Sequence, residues 1–521
     1  MTDLARSGQH RVLLPNEAAT GRLAADLAGI LKPGDILALS GQLGAGKSAL
    51  ARAILRELAD DPTLEAPSPT FTLVQSYETP RGPVLHADLY RVRSPDELDD
   101  IGLVEEIERA ITLVEWPDRA GERLPAGRRL DIVLDVDPEN PETGRIALIS
   151  GGVLWRQRLA IALASRALID SAGWTQSRRV FMLGDASSRA YERLTRADGA
   201  SAVLMISPAR PDGPAIRQGK SYSALAHLAE TVDAFVAMDR GLRSLGYSAP
   251  EIYAQDLSNG LLLIEDLGSE GVIDGNGPIP ERYEAAARLL ADMHRHTLPT
   301  ILPVAEGRDH VVPDYDRNAL AIECELILDW YAPHIAGVTL PAVTQAEFAR
   351  IWNQLFDEIL AAPQSWTLRD FHSPNLIWLP KREGHAKLGL IDFQDAVLGH
   401  PAYDLASLGQ DARVDVPAGL ELRLLAAYGA ARRADAPDFD LAAFARAYAI
   451  LGAQRNTKIA GIFARLDKRD GKPIYLKHLP RIEAYLRRNL DHPALEELKG
   501  WYQTHLPRLF AVDEGAPGPA I

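Results

Sequence analysis

Cysteine is nearly absent from this chain, since only Cys324 among its 521 residues is a cysteine. A single cysteine excludes an intrachain disulfide and a metal site built from several thiolates, and it is typical of a reducing compartment. The sequence also has no run of about 18 to 20 consecutive apolar residues, the length that a membrane-spanning helix needs. It shows no charged segment followed by an apolar core and a cleavage site at its start. We therefore expect a cytoplasmic protein with no membrane partner.

An excess of positive charge is also lacking. Lys and Arg number 56 against 71 Asp and Glu, which gives a net charge of −15. This balance argues against nonspecific binding of nucleic acid by the whole surface, because phosphates would be repelled. With 46% hydrophobic and 24% charged residues the composition is that of a globular protein, and the length predicts two or three domains.

The order of predicted strands and helices divides the chain into segments. Alternating strands and helices predict an α/β domain at the start, and a β-rich lobe followed by a mainly helical lobe is predicted behind it. Within the second domain we expect one helix over Ser223–Leu245. The predicted boundaries are a first domain at 10–150, a helical linker at 151–177, a second domain at 178–505 with a small lobe at 178–268 and a large lobe at 269–505, and a disordered tail at 506–521.

A glycine-rich loop follows the first strongly apolar strand. Gly41, Gly44, Gly46, Lys47 and Ser48 satisfy the pattern G-x-x-x-x-G-K-[ST]. The glycines let backbone N–H groups turn toward phosphate oxygens, the lysine reaches the β- and γ-phosphates, and the serine hydroxyl ligates Mg²⁺. Because a strand leads in and a helix leads out, the sequence predicts an ATP-Mg site here.

Acidic residues follow two later strands of the same domain. Asp88 ends one predicted strand and Glu115 ends the next, after a Ser68–Phe71 segment that reads SPTF. In P-loop domains, carboxylates at such strand ends hold Mg²⁺ or orient a water. Asp88 and Glu115 are therefore candidates for those roles.

Residues 10–150 resemble the TsaE family, the small ATPase subunit of the bacterial machinery that makes threonylcarbamoyladenosine in tRNA. The resemblance rests on the P-loop, S-P-T-F, H-x-D-L-Y-R and E-W segments. It implies that Thr70 is a switch threonine, Asp88 the magnesium-side carboxylate and Glu115 the catalytic carboxylate. It also implies partner subunits and only indirect contact with tRNA. Trp116 is open between contact with nucleotide or partner and core packing.

A second cluster of catalytic residue types lies in the second domain. Asp370 and Asn375 are five residues apart, and Asp392 follows a predicted strand. Their order is that of the catalytic-loop Asp, catalytic-loop Asn and metal-binding Asp of kinases. Asp370 would accept a proton from, or orient, the attacking hydroxyl, while Asn375 and Asp392 would hold Mg²⁺ against ATP phosphates. For His372, within this loop, we expect positioning or packing, and Asp404 is a candidate anchor below the loop.

Residues from about 178 to 500 resemble the aminoglycoside phosphotransferase and choline kinase group. More narrowly, they resemble the AmgK family, kinases for the anomeric hydroxyl of N-acetylmuramate and N-acetylglucosamine in cell-wall recycling. Besides the catalytic trio, the resemblance rests on segments at 184–191, 263–268 and 454–458. It implies that the first segment covers the ATP phosphates and that the second, with Glu265, is the hinge that pairs with adenine. The fold class expected for the whole chain is an α/β P-loop NTPase domain followed by a two-lobed α+β kinase-like domain.

One position departs from the general kinase pattern. Met205 stands where the third small-lobe strand would carry a phosphate-binding lysine. Arg189, Arg217 or Lys220 are the alternatives for the missing charge, and Glu230 is the candidate for the usual helix glutamate. A noncatalytic scaffold, or a kinase for aminoglycosides, choline or a protein side chain, therefore stays open beside the amino-sugar kinase.

Overall fold

The computed structural model describes residues 9–100, 102–182, 189–209 and 213–511. Contacts divide them into two compact units. One unit holds the described residues up to Pro208 together with Tyr253–Ile264, and the other holds Ala209–Ile252 together with the described residues from Glu265 onward. The first predicted domain and the sheet of the predicted small lobe thus share one unit. In the described part of the chain no helix is long and apolar enough to cross a membrane.

The first domain is a sheet with helices on both faces, as the alternating pattern predicts. Buried residues of α1 and α2 pack on one face, and buried residues of α3 and α4 pack on the other. Its elements, with the linker helix, are β1 (Gln9–Leu14), α1 (Glu17–Ile30), β2 (Ile36–Ser40), α2 (Lys47–Ala59), β3 (Val74–Thr79), β4 (Gly82–Asp88), α3 (Glu97–Asp100), α4 (Leu103–Glu106), β5 (Ile111–Glu115), β6 (Arg129–Val136), β7 (Arg145–Gly151) and α5 (Val153–Ser171).

The strand order places the ends of three parallel strands side by side. The seven strands run β1-β7-β6-β2-β5-β4-β3, and β2 pairs in parallel with both β5 and β6, while β4 pairs in parallel with β5. Four of the five residues of β2 are fully buried, because helices cover both faces of a parallel sheet. In the β4–β5 register Asp88 lies opposite Glu115. Both predicted carboxylates therefore lie at one edge of the sheet, beside the end of β2.

The second domain begins with an antiparallel sheet of order β13-β14-β10-β9-β8, which confirms the predicted β-rich lobe. Its core contains apolar residues from both central strands, including Leu204 and Leu263. Through the end of this sheet the elements are β8 (Arg178–Met182), β9 (Ala190–Thr195), β10 (Ser201–Ile206), β11 (Ala215–Arg217), β12 (Lys220–Ser221), α6 (Tyr222–Leu225), α7 (Asp233–Ser244), β13 (Ile252–Asp256) and β14 (Leu261–Glu265).

The remaining residues are mainly helical, as predicted. The long helix α14 is buried along most of its length and contacts α9, α12 and α15. The elements are β15 (Ile273–Asp274), β16 (Gly277–Pro278), α8 (Pro280–Met293), β17 (Ile301–Ala305), β18 (Arg308–Val311), α9 (Arg317–Leu326), α10 (Ala332–His334), α11 (Ala342–Ala361), β19 (Ser365–Thr367), β20 (Leu376–Trp378), β21 (Leu388–Leu390), β22 (Val397–Gly399), α12 (Ala402–Gly409), α13 (Ala418–Asp435), α14 (Leu441–Lys468), α15 (Leu479–Leu490) and α16 (Glu496–His505).

Two predicted segments need correction. The single helix expected over Ser223–Leu245 is two helices, because residues 226–232 leave the helical conformation between α6 and α7. The tail expected to be disordered from residue 506 starts too early, since Pro507–Phe510 forms a 3-10 helix and Leu509 is fully buried. Its end, residues 512–521, lies outside the described residues.

Candidate functional site

The loop between β2 and α2 has the backbone geometry of a phosphate cradle. Gly41, Gly44 and Gly46 have φ of 138°, 82° and 103°, in the left-handed region that residues with a Cβ rarely adopt. A Cβ on Gly41 would lie 2.3 Å from the carbonyl oxygen of Leu134. Gly41 is thus required by close packing as well as by φ, Gly44 and Gly46 are favoured by φ, and α2 begins at Lys47, directly after the loop.

Lys47 is held at the mouth of this loop. Its Nζ donates to the carbonyl oxygens of Gly41 and Gln42, at 2.9 Å each, and lies 3.9 Å from the centre of the Trp116 ring. Burial lowers the pKa of Lys47, and the carboxylates of Glu115 and Asp88 oppose that effect. Trp116 therefore contacts the P-loop lysine, lines the same cavity and also packs against the core beside β5.

The carboxylates lie against this loop, as their strand positions predict. Glu115 accepts a hydrogen bond from the Ser48 hydroxyl at 2.7 Å, and its other oxygen lies 3.0 Å from Nε2 of the buried His86. The sequence analysis gave His86 no role. It lies two residues before Asp88 on β4, and this spacing places both side chains on one face of the strand.

Asp88 is connected to the segment that follows α2. One of its oxygens accepts hydrogen bonds from the hydroxyls of Ser68, at 2.6 Å, and Thr70, at 3.2 Å. Movement of that segment would therefore move Asp88. The predicted switch threonine is in contact with the predicted magnesium-side carboxylate, and Ser68 is a further contact that the sequence analysis missed.

Two neighbouring cavities adjoin the loop. The first, of about 400 Å³, is lined by Lys47, Ser48, Thr70, Asp88 and Glu115 among others. The second, of about 900 Å³, runs along α1 and α2, and Gly46 and Ala49 line both.

A second basic side chain, Arg145, lies over the loop and lines the larger cavity. Its Nη2 lies 3.4 Å from the carbonyl oxygen of Gly44, and its Nη1 donates to the carbonyl of Gly144 at 2.7 Å. The sequence placed Arg145 only as the start of a hairpin strand, because its approach to the P-loop depends on the pairing of β6 with β7.

The residues at the first cavity suit a hard cation. Ser48, Asp88 and Glu115 offer oxygen atoms, which Mg²⁺ prefers. In the described part of the chain no cluster of three or more His, Cys, Asp or Glu side chains could hold a metal ion alone. Mg²⁺ held by one or two protein oxygens together with phosphates fits that finding.

The second predicted site is built on the β20–β21 hairpin. Asn375 directly precedes β20, and Asp392 follows β21 by one residue; the amide of Ile391 donates to the carbonyl of Asn375 at 3.1 Å. The Asn375 Nδ2 donates to the carbonyl of Asp370 at 2.9 Å, so its Oδ1 is the atom suited to a cation. Asp392 has φ of 60° and accepts from the Gln394 side chain at 2.8 Å. The hairpin thus brings all three predicted residues together.

The loop before Asp370, predicted to be catalytic, is held by Asp404 through two hydrogen bonds. The two carboxylate oxygens of Asp404 accept the amides of Leu368, at 2.6 Å, and Arg369, at 2.9 Å, just before Asp370. Burial raises the pKa of Asp404 to about 7, against the effect of these backbone donors. His372 is buried, which lowers its pKa to about 4, and its Nε2 is 3.9 Å from Asp370. A positioning role suits it better than proton transfer near neutral pH.

A buried cluster that the sequence analysis missed supports the same loop. Glu323 is fully buried and accepts from Arg369, from Lys458 at 2.8 Å and from Gln454 at 3.0 Å. Lys458 and Gln454 belong to the segment that carried part of the resemblance, but no spacing in the sequence indicates Glu323 as their partner.

The residues of the second domain that the sequence analysis considered for nucleotide binding occupy different environments in the structure. Met205 is 1% exposed in β10, so it packs in the core of the sheet. Arg217 forms an ion pair with Glu325. Glu230 lies in the segment between α6 and α7 and is not a helix residue. Residues 184–188 of the predicted phosphate segment lie outside the described residues. The Glu265 amide donates to the carbonyl of Glu251 at 2.8 Å, so its backbone could contact a base only through the carbonyl.

Comparison with known proteins gives two family models that match separate parts of the chain. A family model described as threonylcarbamoyl adenosine biosynthesis protein TsaE matches residues 14–145, and one described as phosphotransferase enzyme family matches residues 180–448. An N-acetylmuramate/N-acetylglucosamine kinase of Caulobacter vibrioides is 39% identical over 355 residues, which cover 66% of this chain and 96% of that protein. A tRNA threonylcarbamoyladenosine biosynthesis protein TsaE of Aquifex aeolicus is 36% identical over 137 residues, 26% of this chain and 93% of that protein. Another TsaE protein, of Rickettsia bellii, is 38% identical over 115 residues, which cover 22% of this chain and 79% of that protein.

Proposed function

The chain belongs to the phosphotransferase enzyme family and carries a TsaE-family domain ahead of its kinase domain, and we propose on this basis that it has two separate ATP-dependent activities. The amino-terminal domain hydrolyses ATP in support of threonylcarbamoyladenosine formation in tRNA. The second domain transfers the γ-phosphate of ATP to the anomeric hydroxyl of N-acetylmuramate or N-acetylglucosamine. Both activities belong in the cytoplasm, where ATP and reduced thiols are found.

The observation that supports the first activity is the cavity formed by Lys47, Ser48, Asp88 and Glu115. Lys47 contacts the β- and γ-phosphates there, and Glu115, held in place by His86, orients the attacking water. Mg²⁺, held by Ser48 and Asp88, would neutralise charge on the phosphate oxygens. Because Thr70 contacts Asp88, a bound γ-phosphate that ordered the Ser68–Phe71 segment would also fix Asp88.

Partner subunits fit the surroundings of this cavity. Leu43 and Phe71 are 82% and 85% exposed, although both are apolar, and Tyr90 at the cavity is 48% exposed. Exposed apolar side chains around an active site favour protein docking. We expect slow ATP hydrolysis by this chain alone and faster hydrolysis with the two partner subunits of the threonylcarbamoyl-transfer complex. Phe71→Ala should lose most of that stimulation while ATP binding stays as in the wild type; stimulation equal to wild type would argue against docking at Phe71.

The observation that supports the second activity is the convergence of Asp370, Asn375 and Asp392 on one hairpin. Asp370 orients the sugar hydroxyl and accepts its proton as the bond from the sugar oxygen to the γ-phosphorus forms and the bond from that phosphorus to the leaving oxygen of ADP breaks. Asn375 Oδ1 and the Asp392 carboxylate are the oxygens that would hold Mg²⁺. Asp404 keeps the loop in this conformation through two backbone amides. The preference for amino sugars rests on the likeness to the Caulobacter vibrioides kinase.

A direct test is phosphate transfer from ATP-Mg to N-acetylmuramate, N-acetylglucosamine, choline and kanamycin, followed by phosphorus NMR. We expect an anomeric sugar phosphate that disappears with Asp370→Ala. Transfer only to choline or kanamycin would instead assign the domain to another small hydroxyl substrate.

A noncatalytic scaffold is the second candidate, and the observation that favours it is Met205. A buried methionine cannot provide the positive charge that a strand lysine gives to ATP phosphates. Binding of ATP to the Lys47→Ala chain without transfer to any of the four acceptors would favour this alternative. The complete set of Asp370, Asn375 and Asp392 favours the enzyme.

A further inference from the structure

A buried charged cluster joins the P-loop domain to the small-lobe sheet within one compact unit. Asp26 of α1 accepts from Arg179 of β8 and from Arg166 of the linker helix α5, the latter at 3.0 Å. Arg179 also donates to Glu192 of β9 at 2.6 Å. The four side chains are 6% to 16% exposed for the arginines and 5% to 9% for the acids. With two cations and two anions the cluster is neutral overall; we call these four residues the α1 clamp.

The surface of α1 is shaped for this contact. A Cβ on Gly29 would lie 2.9 Å from the Glu192 carboxylate, so a larger residue there would displace the end of that side chain. Arg81 of the P-loop domain stacks on Phe181 of β8 at 4.0 Å and donates to the carbonyls of Gly29 and Leu31. Burial by itself would lower the pKa of Arg179, but the carboxylates of Glu192 and Asp26 outweigh burial and hold it above its ordinary value.

The position of β8 explains why this contact matters. β8 is the last strand of the five-stranded sheet and is paired only with β9. An edge strand has one neighbour to fix its position, and other elements must cover its free side. Arg179 and Glu192 lie diagonally across the β8–β9 pair, since Arg179 pairs with Leu194 and Phe181 pairs with Glu192. The Asp26 carboxylate on α1 therefore contacts β8 directly, and it reaches β9 only through the Arg179–Glu192 ion pair.

We propose that the P-loop domain serves as a structural support for the kinase, in which the α1 clamp positions the β8–β9 hairpin of the small lobe and so sets the affinity of the kinase for ATP. Asp26 is then a positioning residue that acts on the other domain through Arg179. The effect on ATP rests on the proposed function, in which the second domain binds ATP, and on the resemblance, which implies that the small lobe contacts the nucleotide. The clamp would give one reason for the two domains to share a chain.

The test compares three full-length variants. Asp26→Asn removes the anion that Arg166 and Arg179 share, and Glu192 remains as the one anion of the clamp. Gly29→Ala crowds Glu192 but favours helix formation in α1, since alanine has the higher helix propensity. An effect shared by both variants therefore cannot come from a weakened α1. Asp170→Asn, at an exposed acid of α5, removes the same charge outside the clamp.

We expect Asp26→Asn and Gly29→Ala to raise the KM for ATP in phosphorylation of N-acetylglucosamine by about 5-fold or more, with kcat within about 2-fold of wild type. Hydrogen exchange of the β8 and β9 amides should accelerate in the same two variants, and Asp170→Asn should match wild type in both readouts. A KM for ATP that stays at the wild-type value in the two folded variants would overturn the proposal. If wild type phosphorylates no acceptor, the kinase assignment fails separately, and unchanged exchange of β8 and β9 in Asp26→Asn would then reject the clamp as well.

Discussion

Replacing Glu323 by glutamine tests how the catalytic loop of the kinase domain is held. Glu323 is 0% exposed, and its carboxylate faces two cations, Arg369 at 2% side-chain exposure and Lys458 at 15%. Tyr315 and Gln454 also donate to it. Burial would raise the pKa of Glu323, but Lys458 and Arg369 outweigh burial and hold it at about 2. The carboxylate is therefore charged at neutral pH, and glutamine would leave two buried cations without an anion.

The expected loss follows from that burial. Removing one partner of a buried ion pair typically destabilises a protein by about 3 to 5 kcal/mol. Arg369 cannot reach water, so we expect a loss near about 4 kcal/mol for Glu323→Gln. Adding Lys458→Met removes one of the stranded cations and should recover about 1 to 2 kcal/mol. Because Arg369 directly precedes Asp370, we also expect kcat for sugar phosphorylation to fall about 10-fold or more.

The assay is hydrogen exchange of α9 and α14 amides in increasing urea, because a chain with two domains does not unfold in one step. Glu325→Gln is the matched control, two residues further along the same helix. Its ion pair with Arg217 is partly exposed, and its loss should change stability by about 1 kcal/mol or less. A Glu323→Gln protein within about 1 kcal/mol of wild type would refute the view that this carboxylate compensates both cations.

Three further predictions concern the two sites and their pH dependence. Lys47→Ala should abolish ATP hydrolysis by the first domain and leave sugar phosphorylation intact, and Asp370→Ala should do the reverse. Phosphate release measures the first activity and phosphorus NMR the second. Loss of both activities in either variant would contradict two independent sites. Glu115→Gln should lower single-turnover ATP hydrolysis by about 10²- to 10⁴-fold with little change in ATP affinity, and an unchanged rate would remove Glu115 from the catalytic role. Burial lowers the pKa of His294 to about 3. Between that pH and about 6.5, the His294 ring is therefore neutral in the folded protein but takes up a proton in the unfolded chain. The contribution of His294 to stability is complete above about pH 6.5 and falls by about 2 kcal/mol at pH 5. Urea unfolding at pH 7 and 5 should show a loss of stability to which the other buried histidines, such as His372, also contribute. His294→Gln should reduce that loss by about 2 kcal/mol.

The sequence by itself predicted the fold class and the family membership, and both are confirmed. It also predicted the apolar strand before the P-loop and the helix after it, because the three segments are contiguous in the sequence. Motifs of this kind encode structure within a few residues, where backbone geometry and side-chain type decide together. The sequence did not predict the break between α6 and α7, because the apolar pattern of α7 continues through residues 226–232. Tertiary contacts hold that segment outside a helix; for example, the amide of Ala229 donates to Asp395.

Contacts between distant segments were decided only by the tertiary structure. Glu323 and Arg369 are 46 residues apart, and Asp26 and Arg179 are 153 apart. No spacing in the sequence connects them, because each pair meets only after whole sheets and helices have packed. His86 is intermediate: its two-residue spacing from Asp88 follows from the strand, but its contact with Glu115 needs the parallel pairing of β4 with β5. The sequence thus determined which residues could carry out the chemistry, and long-range packing decided which side chains hold them in place.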